Sequence, residues 1–163
     1  IPSVAAGVPT MRFPDWKLQI VGNSDKDASA FLKKIAIENN CRNYEFVGFR
    51  KDVDRLMQQS EIFCLSSRTE GLPMALIEAM NAGCCCVSFD VVTGPREIIV
   101  ANKSGLLAKN QDNEDFVEKL RQVMSDETLR HHLAANAPSS VVKFSTKRIV
   151  HRWYILFDKI IKK

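Results

Sequence analysis

The sequence predicts one α/β domain in which helices cover both faces of a parallel sheet. Its 163 residues suffice for a single domain with a real core and are too few for two ordinary ones. Short apolar runs alternate along the chain with segments of helical periodicity, which is typical of a parallel sheet wrapped by helices. The runs are continuously apolar, as expected of strands buried on both faces.

Five strands are predicted, and the first two end in glycine. They cover Lys17–Gly22, Tyr44–Gly48, Glu61–Leu65, Cys84–Phe89 and Gly105–Ala108. The first predicted helix is capped by Ser24 and has Phe31, Ile35 and Ala36 on one side. The other predicted helices are Asp52–Gln59, Pro73–Ala82, Pro95–Val100, Asn113–Met124, Asp126–Ala135 and Thr146–Ile161. The order is that of a Rossmann-like domain, in which ligands bind where strands end and helices begin. The loops to watch are therefore Gly22–Asp25, Gly48–Asp52, Ser66–Pro73 and Asp90–Arg96.

The two ends of the chain differ in character. Residues 1–16 are irregular and begin with Ile1, so we expect a piece of a longer protein with an N-terminal remnant. Residues 145–161 form a final helix that Ser145 can cap. This helix mixes aromatic and basic residues, so it is compatible with peripheral membrane association, although we favour packing against protein.

Composition excludes several classes of protein. The net charge of +4 is too weak to indicate a nucleic-acid partner, and no apolar run approaches the roughly 20 residues of a membrane span. The five cysteines are Cys41, Cys64, Cys84, Cys85 and Cys86. Their odd number, the three adjacent positions and the lack of a C-x-x-C pair favour reduced, buried thiols over a metal site. No metal and no cofactor are expected, and the three histidines lie on late helices.

The stretch "TEGLPMALIEAM" places Glu70 and Glu78 at the ends of an otherwise uncharged apolar segment. Pro73 fits the start of a helix, and Gly71 lets a ligand approach the backbone. The free amides of a helix start attract phosphate, while a carboxylate can accept hydrogen bonds from both hydroxyls of a vicinal diol. The alternative is that Glu70 caps the helix and Glu78 is solvated or paired.

A wider resemblance decides between these interpretations. The stretch "SSRTEGLPMALIEAMNAGCCCV" is similar to the E-x7-E signature of retaining GT-B glycosyltransferases of the family-4 type, with Glu70, Glu78 and Gly83 at matching positions. The flanking pieces that agree are "PDWKLQIVG", "YEFVGFRKDV", "TGPREII", "SGLL" and "KFSTKRIVHRWYILF". The chain resembles the C-terminal, donor-binding half of that two-domain fold, nearly throughout from Pro14.

The resemblance implies a role for each matching residue. Glu78 would bind the ribose hydroxyls, and Glu70 would act at the catalytic centre on hydroxyls of the transferred sugar, near the reacting carbon. We favour orientation and electrostatic stabilisation for Glu70, with nucleophilic attack left open. The other implied donor-binding residues are Gly71, Leu72 and Pro73 at the helix start, Gly48, Phe49, Arg50 and Lys51 beside the base, and Gly94 in "TGPREII".

The implied activity is transfer of a sugar, with its anomeric configuration retained, from a nucleotide-sugar donor to a glycan or lipid-linked acceptor. A UDP-sugar and bacterial surface polysaccharide synthesis are favoured, in the cytoplasm or at the inner face of the membrane. The acceptor domain is absent from this chain, so the fragment alone is expected to be inactive. Other readings are a non-catalytic nucleotide-binding module, a nucleotide-sugar epimerase and a phosphorylase.

Two departures from the family pattern stand out. The Arg and Lys that usually hold the diphosphate belong to a stretch expected upstream of Ile1. Arg50, Lys51 and Arg68 are weaker substitutes, and a solvated surface charge is the alternative for each. Cys85 occupies the position where the family usually has proline.

Overall fold

The computed structural model describes residues 13–23, 26–39 and 41–162. Strands β1 to β5 are Leu18–Val21, Tyr44–Gly48, Ile62–Leu65, Cys85–Asp90 and Leu106–Lys109. Helices α1 to α7 are Lys26–Glu38, Val53–Gln58, Met74–Asn81, Pro95–Ile98, Asn113–Ser125, Glu127–Val141 and Thr146–Ile161. A 3-10 turn at Val142–Phe144 precedes α7.

All strand pairs in the described residues are parallel, and they form two sheets. One sheet contains β1 and β2, and the other has β4 between β3 and β5. In the larger sheet, Ile62 lies opposite Cys85 and Val87 lies opposite Leu106. Within each sheet, consecutive strands are parallel neighbours joined through a helix, which confirms the predicted α/β class. Helix α2 instead connects β2 to β3, from one sheet to the other.

Strand β4 is the centre of the molecule, and its side chains alternate between two cores. Cys84 and Cys86 pack with the buried side of α3, with α4 and with the end of α6. Cys85, Val87 and Phe89 face the opposite core, where α5 and the earlier part of α6 pack. The larger sheet is therefore covered by helices on both faces, as the sequence predicts.

The observed helices differ from the predicted ones in informative places. Helix α6 runs to Val141 through Pro138, beyond the predicted end, because Leu133, Ala137 and Val141 lie buried on one side of it. Burial of that side compensates for the backbone hydrogen bond that proline cannot donate. Ser24, the predicted cap of α1, lies outside the described residues.

Two further predictions about helices are corrected. Phe31 was expected on the packed side of α1, but it is exposed, while Leu32 and Ala36 are buried. Ser145 holds the N-cap position of α7, yet its side chain makes no capping hydrogen bond.

Helix α7 is amphipathic and contains no buried residue. Trp153, Tyr154, Phe157 and Ile160 are all exposed, and Trp153 stacks on Phe157 with ring centroids 5.5 Å apart. Packing of this helix against another protein surface thus remains a prediction. None of the helices in the described part of the chain is long and apolar enough to cross a membrane.

Candidate functional site

Two loops meet at the carboxyl end of the larger sheet. The first connects β3 to α3 and carries Glu70, and the second connects β4 to α4 and carries Thr93. The hydroxyl of Thr93 donates a hydrogen bond to the backbone carbonyl of Glu70. Because β3 and β4 are parallel neighbours, their carboxyl ends lie at one edge of the sheet, where such folds bind ligands.

Helix α3 carries Glu78 on its exposed side. The opposite side of the helix is buried in the core through Leu76, Ile77, Ala79 and Met80. Met74, Ala75 and Glu78 are exposed, as expected for positions one turn apart on a single face. The helix is apolar because most of it is core, and Glu78 carries no burial cost because it reaches solvent.

The two carboxylates differ in exposure and share a lack of partners. Glu70 is half-buried and Glu78 is exposed. Within residues 13–23, 26–39 and 41–162, neither carboxylate receives a hydrogen bond or forms an ion pair. The predicted alternative, that Glu70 caps the helix, is not observed, since α3 begins without a side-chain cap. Both groups are free to accept hydrogen bonds from a ligand.

The start of α3 presents backbone amides toward this edge of the sheet. Pro73 was predicted in the first turn of this helix, but it is the N-cap residue, and its carbonyl accepts from the amides of Leu76 and Ile77. The amides of Met74 and Ala75 have no acceptor in the described part of the chain. Free amides at the positive end of a helix are suited to an anionic group.

Gly94 lies buried beneath the loop that carries Glu70. Its φ of +90° is in the left-handed region, and a Cβ added there would lie 2.6 Å from Cδ of Pro73 and 2.8 Å from the carbonyl oxygen of Gly71. Only glycine allows this close approach between the two loops. The structure thus places Gly94 against Gly71 and Pro73, as a neighbour of the other candidate residues.

The predicted residues Gly48 to Lys51 follow β2 in the smaller sheet. Gly48 has a φ of +76°, and Phe49 is exposed with 66% of its surface accessible. No hydrogen bond or ion pair joins Gly48, Phe49, Arg50 or Lys51 to the loop of Glu70 in the described residues. The structure therefore connects Glu70, Gly71, Pro73 and Gly94 by contacts between two loops, with Glu78 on the helix that follows. The β2 loop belongs to the other sheet.

The cations near the strand ends are partly engaged. Nε and Nη2 of Arg50 donate to the carboxylate of Asp52 at 2.8 and 2.7 Å, and this bond raises the pKa of Arg50 and lowers the pKa of Asp52. Arg96 makes the same forked contact with Asp90, at 2.8 Å for both bonds. Lys51 and Arg68 are exposed and have no ion pair among the residues described. In that same part of the chain, no cluster of three or more potential metal ligands occurs.

Sequence reasoning missed the role of Thr93 as a contact of Glu70. The available signal was a hydroxyl residue placed directly before a glycine and a proline, at the end of a buried strand. Ser and Thr hydroxyls in such turns commonly bond to nearby backbone groups. The partner is 23 residues away in sequence, however, and no local pattern identifies it.

Comparison with known proteins gives a consistent result. Residues 3–140 match the family described as glycosyl transferases group 1. The amylovoran biosynthesis glycosyltransferase AmsD of Erwinia amylovora is 34% identical over 140 residues, which is 85% of this chain and 38% of AmsD. The chain thus spans well under half the length of that relative.

Two solved structures resemble this one closely. The C-terminal domain of LpcC from Francisella tularensis, a glycosyl transferase group 1 family protein, has a TM-score of 0.74 and 25% identity, covering 85% of this chain and 74% of that one. A mutant of S. aureus TarM in complex with Fondaparinux, alpha-GlcNAc-glycerol and UDP has a TM-score of 0.80 and 27% identity, covering 94% of this chain and 31% of TarM.

Proposed function

The chain belongs to the glycosyl transferases group 1 family, and we propose that it is the donor-binding domain of a glycosyltransferase that uses a UDP-sugar. The observation that carries this proposal is the pair of unpartnered carboxylates, Glu70 and Glu78, on either side of the free amides at the start of α3. A nucleotide-sugar offers hydroxyls, a diphosphate and more hydroxyls in that order. Glu78 on the exposed side of α3, the free amides at the helix start and Glu70 before the helix are suited to these three parts.

The spacing along α3 supports this assignment of parts. Glu78 lies four residues beyond Met74, or about 6 Å along the helix axis. A diphosphate held by the amides of Met74 and Ala75 would therefore place a ribose diol near Glu78. Glu70, before the helix, would then meet the transferred sugar on the other side of the diphosphate. Gly71 and Leu72, both exposed, lie in the chain between Glu70 and the amides that would hold the diphosphate.

We assign an orienting and electrostatic role to Glu70, with retention of anomeric configuration. A carboxylate close to the reacting carbon can hold sugar hydroxyls and stabilise the positive charge that develops during transfer. Arg50 is engaged with Asp52, so it would bind phosphate only by sharing or leaving that partner. The proposal therefore assigns the main diphosphate cations to residues outside this chain, and includes no metal.

The whole protein's activity is part of the same proposal. AmsD is named for amylovoran biosynthesis, and the similar LpcC fragment is a C-terminal domain. The LpcC fragment supports a C-terminal position for this chain, and the relative named for exopolysaccharide in Streptomyces coelicolor supports a product among bacterial polysaccharides. The proposal places this synthesis in the cytoplasm or at the inner face of the membrane. The acceptor, a glycan or a lipid-linked glycan, would bind to a separate N-terminal domain.

Calorimetric titration of the full-length protein with UDP, GDP and ADP tests the donor site. We expect only UDP to bind. Glu78→Ala should lower the affinity for UDP by about 10- to 100-fold, because a hydrogen bond to a charged group contributes about 1.5–3 kcal/mol. Glu114→Ala, which makes the same substitution at an exposed carboxylate on α5, is the matched control and should bind like the wild type. If Glu78→Ala binds UDP with unchanged affinity, Glu78 does not contact the ribose. If the wild type binds none of the three nucleotides, the donor site is refuted.

A further inference from the structure

We propose that Thr93 is a positioning residue that holds the loop of Glu70 in the conformation that receives the transferred sugar. This inference rests on the proposed function, because it concerns the same donor site. It assigns a role to an uncharged residue through its contact with the backbone of Glu70.

The hydrogen bond of Thr93 is made to the backbone of Glu70, the proposed contact of the transferred sugar. Thr93 donates its hydroxyl proton to the carbonyl oxygen of Glu70, so it fixes the peptide group from which the Glu70 side chain extends. Thr93 itself is exposed, and its hydroxyl could otherwise bond to water. A hydrogen bond between two separate loops at this edge restricts the loop of Glu70 without occupying its carboxylate.

The surroundings of Thr93 reinforce this restriction. The next residue, Gly94, is buried in contact with Pro73 and the carbonyl of Gly71. The β4–α4 loop thus meets the loop of Glu70 at three residues within four positions, which are Glu70, Gly71 and Pro73. Such a seam leaves the stretch from Glu70 to Pro73 little freedom to shift independently.

The β4–α4 loop is itself firmly held. The forked pair between Arg96 and Asp90 closes it from one end to the other, with both bonds at 2.8 Å. Pro95 and Ile98 are buried in the core beside it. Thr93 therefore projects from a loop that is anchored at both ends, and its hydrogen bond links the loop of Glu70 to that anchored loop.

The position of Glu78 makes this role separable from general stability. Glu78 lies on a helix that the core holds through Leu76, Ala79 and Met80, whereas the seam reaches only its N-cap residue, Pro73. Loss of the Thr93 hydroxyl should consequently disturb the sugar end of the donor and spare the ribose end. Affinity for a UDP-sugar should fall while affinity for UDP stays the same.

The test compares Thr93→Val with Thr93→Ser in the full-length protein. Each variant is titrated calorimetrically with UDP and with UDP-glucose, UDP-galactose and UDP-N-acetylglucosamine, and the sugar nucleotide that the wild type binds best is used for comparison. We expect Thr93→Val to weaken binding of that sugar nucleotide about 3- to 10-fold and to leave UDP unchanged, as for loss of one hydrogen bond. Thr93→Ser keeps the hydroxyl and should restore the wild-type ratio of the two affinities.

Two further variants complete the experiment. Thr128→Val, at an exposed position on α6, makes the same chemical change away from the site and should match the wild type. Glu70→Ala should weaken binding of the sugar nucleotide by more than Thr93→Val does, and should also leave the affinity for UDP unchanged. A Thr93→Val protein with the wild-type ratio of affinities, or one that loses UDP and sugar nucleotide equally, would overturn the inference while the donor site stands. A wild type that binds no nucleotide would instead refute the donor site, and the inference with it.

Discussion

Single residues in this structure owe their properties to the side of the sheet on which they lie. Cys85, the first residue of β4, cannot pair with Cys84 or Cys86, because neighbouring side chains along a strand point to opposite faces. Cys84 and Cys86 face the same core, and both are free thiols. Burial raises the pKa of Cys84 to about 11 and that of Cys85 to about 12, and raises the pKa of Cys86 as well. These thiols stay protonated at neutral pH, and thus fill volume in the core rather than react.

Alkylation of the folded protein should distinguish these thiols from the half-buried Cys41. At pH 8 we expect iodoacetamide to modify Cys41 while Cys84, Cys85 and Cys86 remain unmodified until urea unfolds the chain, as peptide mass spectrometry would record. Since folding raises these pKa values above the ordinary value of 9, the thiols favour the folded state fully below pH 9. That contribution is lost as the pH rises from about 9 toward 11–12. Rapid native labelling of Cys85 at pH 8 would show that β4 is not buried as described.

At the scale of elements, Arg130 links three parts of the chain from one buried position. Its Nε donates to the carboxylate of Glu61, just before β3, and its Nη1 donates to the carbonyl of Val123 at 2.9 Å. Its guanidinium also lies 5.1 Å from the ring centroid of Trp16, just before β1. Helix α6 is thereby tied to the ends of elements from both sheets.

Replacement of Arg130 by methionine should reduce the free energy of unfolding. Methionine keeps much of the side-chain volume but leaves the Val123 carbonyl without its donor and Glu61 without its partner, at a cost of about 1–3 kcal/mol. Urea unfolding followed by circular dichroism measures this change. Arg121→Met is a useful comparison, since the Arg121 pair with Glu118 is long at 3.9 Å and contributes little. Equal stability of the two variants would argue against a linking role for Arg130.

At the scale of the whole molecule, the two sheets are unequally buried. Every residue of β4 except its last is fully buried, whereas three of the four residues of β1 are exposed. Both core clusters belong to the three-stranded sheet and its helices. The unit of β1, α1 and β2 therefore relies on fewer buried apolar contacts for its stability.

Hydrogen exchange measured by mass spectrometry should reveal this difference. Peptides that contain Cys85–Asp90 should exchange by global unfolding, while those that contain Leu18–Val21 should exchange faster through local opening. We expect amide hydrogen exchange in β4 to be about tenfold or more slower than in β1. Equal protection of the two strands would mean that the sheets unfold as one unit.

The sequence predicted the class of the fold and the position of the Glu70 loop well. Strand β2 has its predicted bounds, and β4 differs by one residue at each end. These elements are predictable because apolar runs and glycine stops are local signals. The division into two sheets, the exposure of Phe31 and the contact between Thr93 and Glu70 depend on residues distant in sequence, and no local pattern encodes them.

The open edges of the two sheets also matter for handling this stretch of polypeptide in the laboratory. Strands β1, β2, β3 and β5 each have one edge without a strand partner in the described residues. An open edge presents a row of unpaired amides and carbonyls, which is a template for association with a foreign strand. Fusion partners or additional flanking sequence that cover these edges should therefore improve solubility and crystallisation more than changes to the well-packed centre at β4.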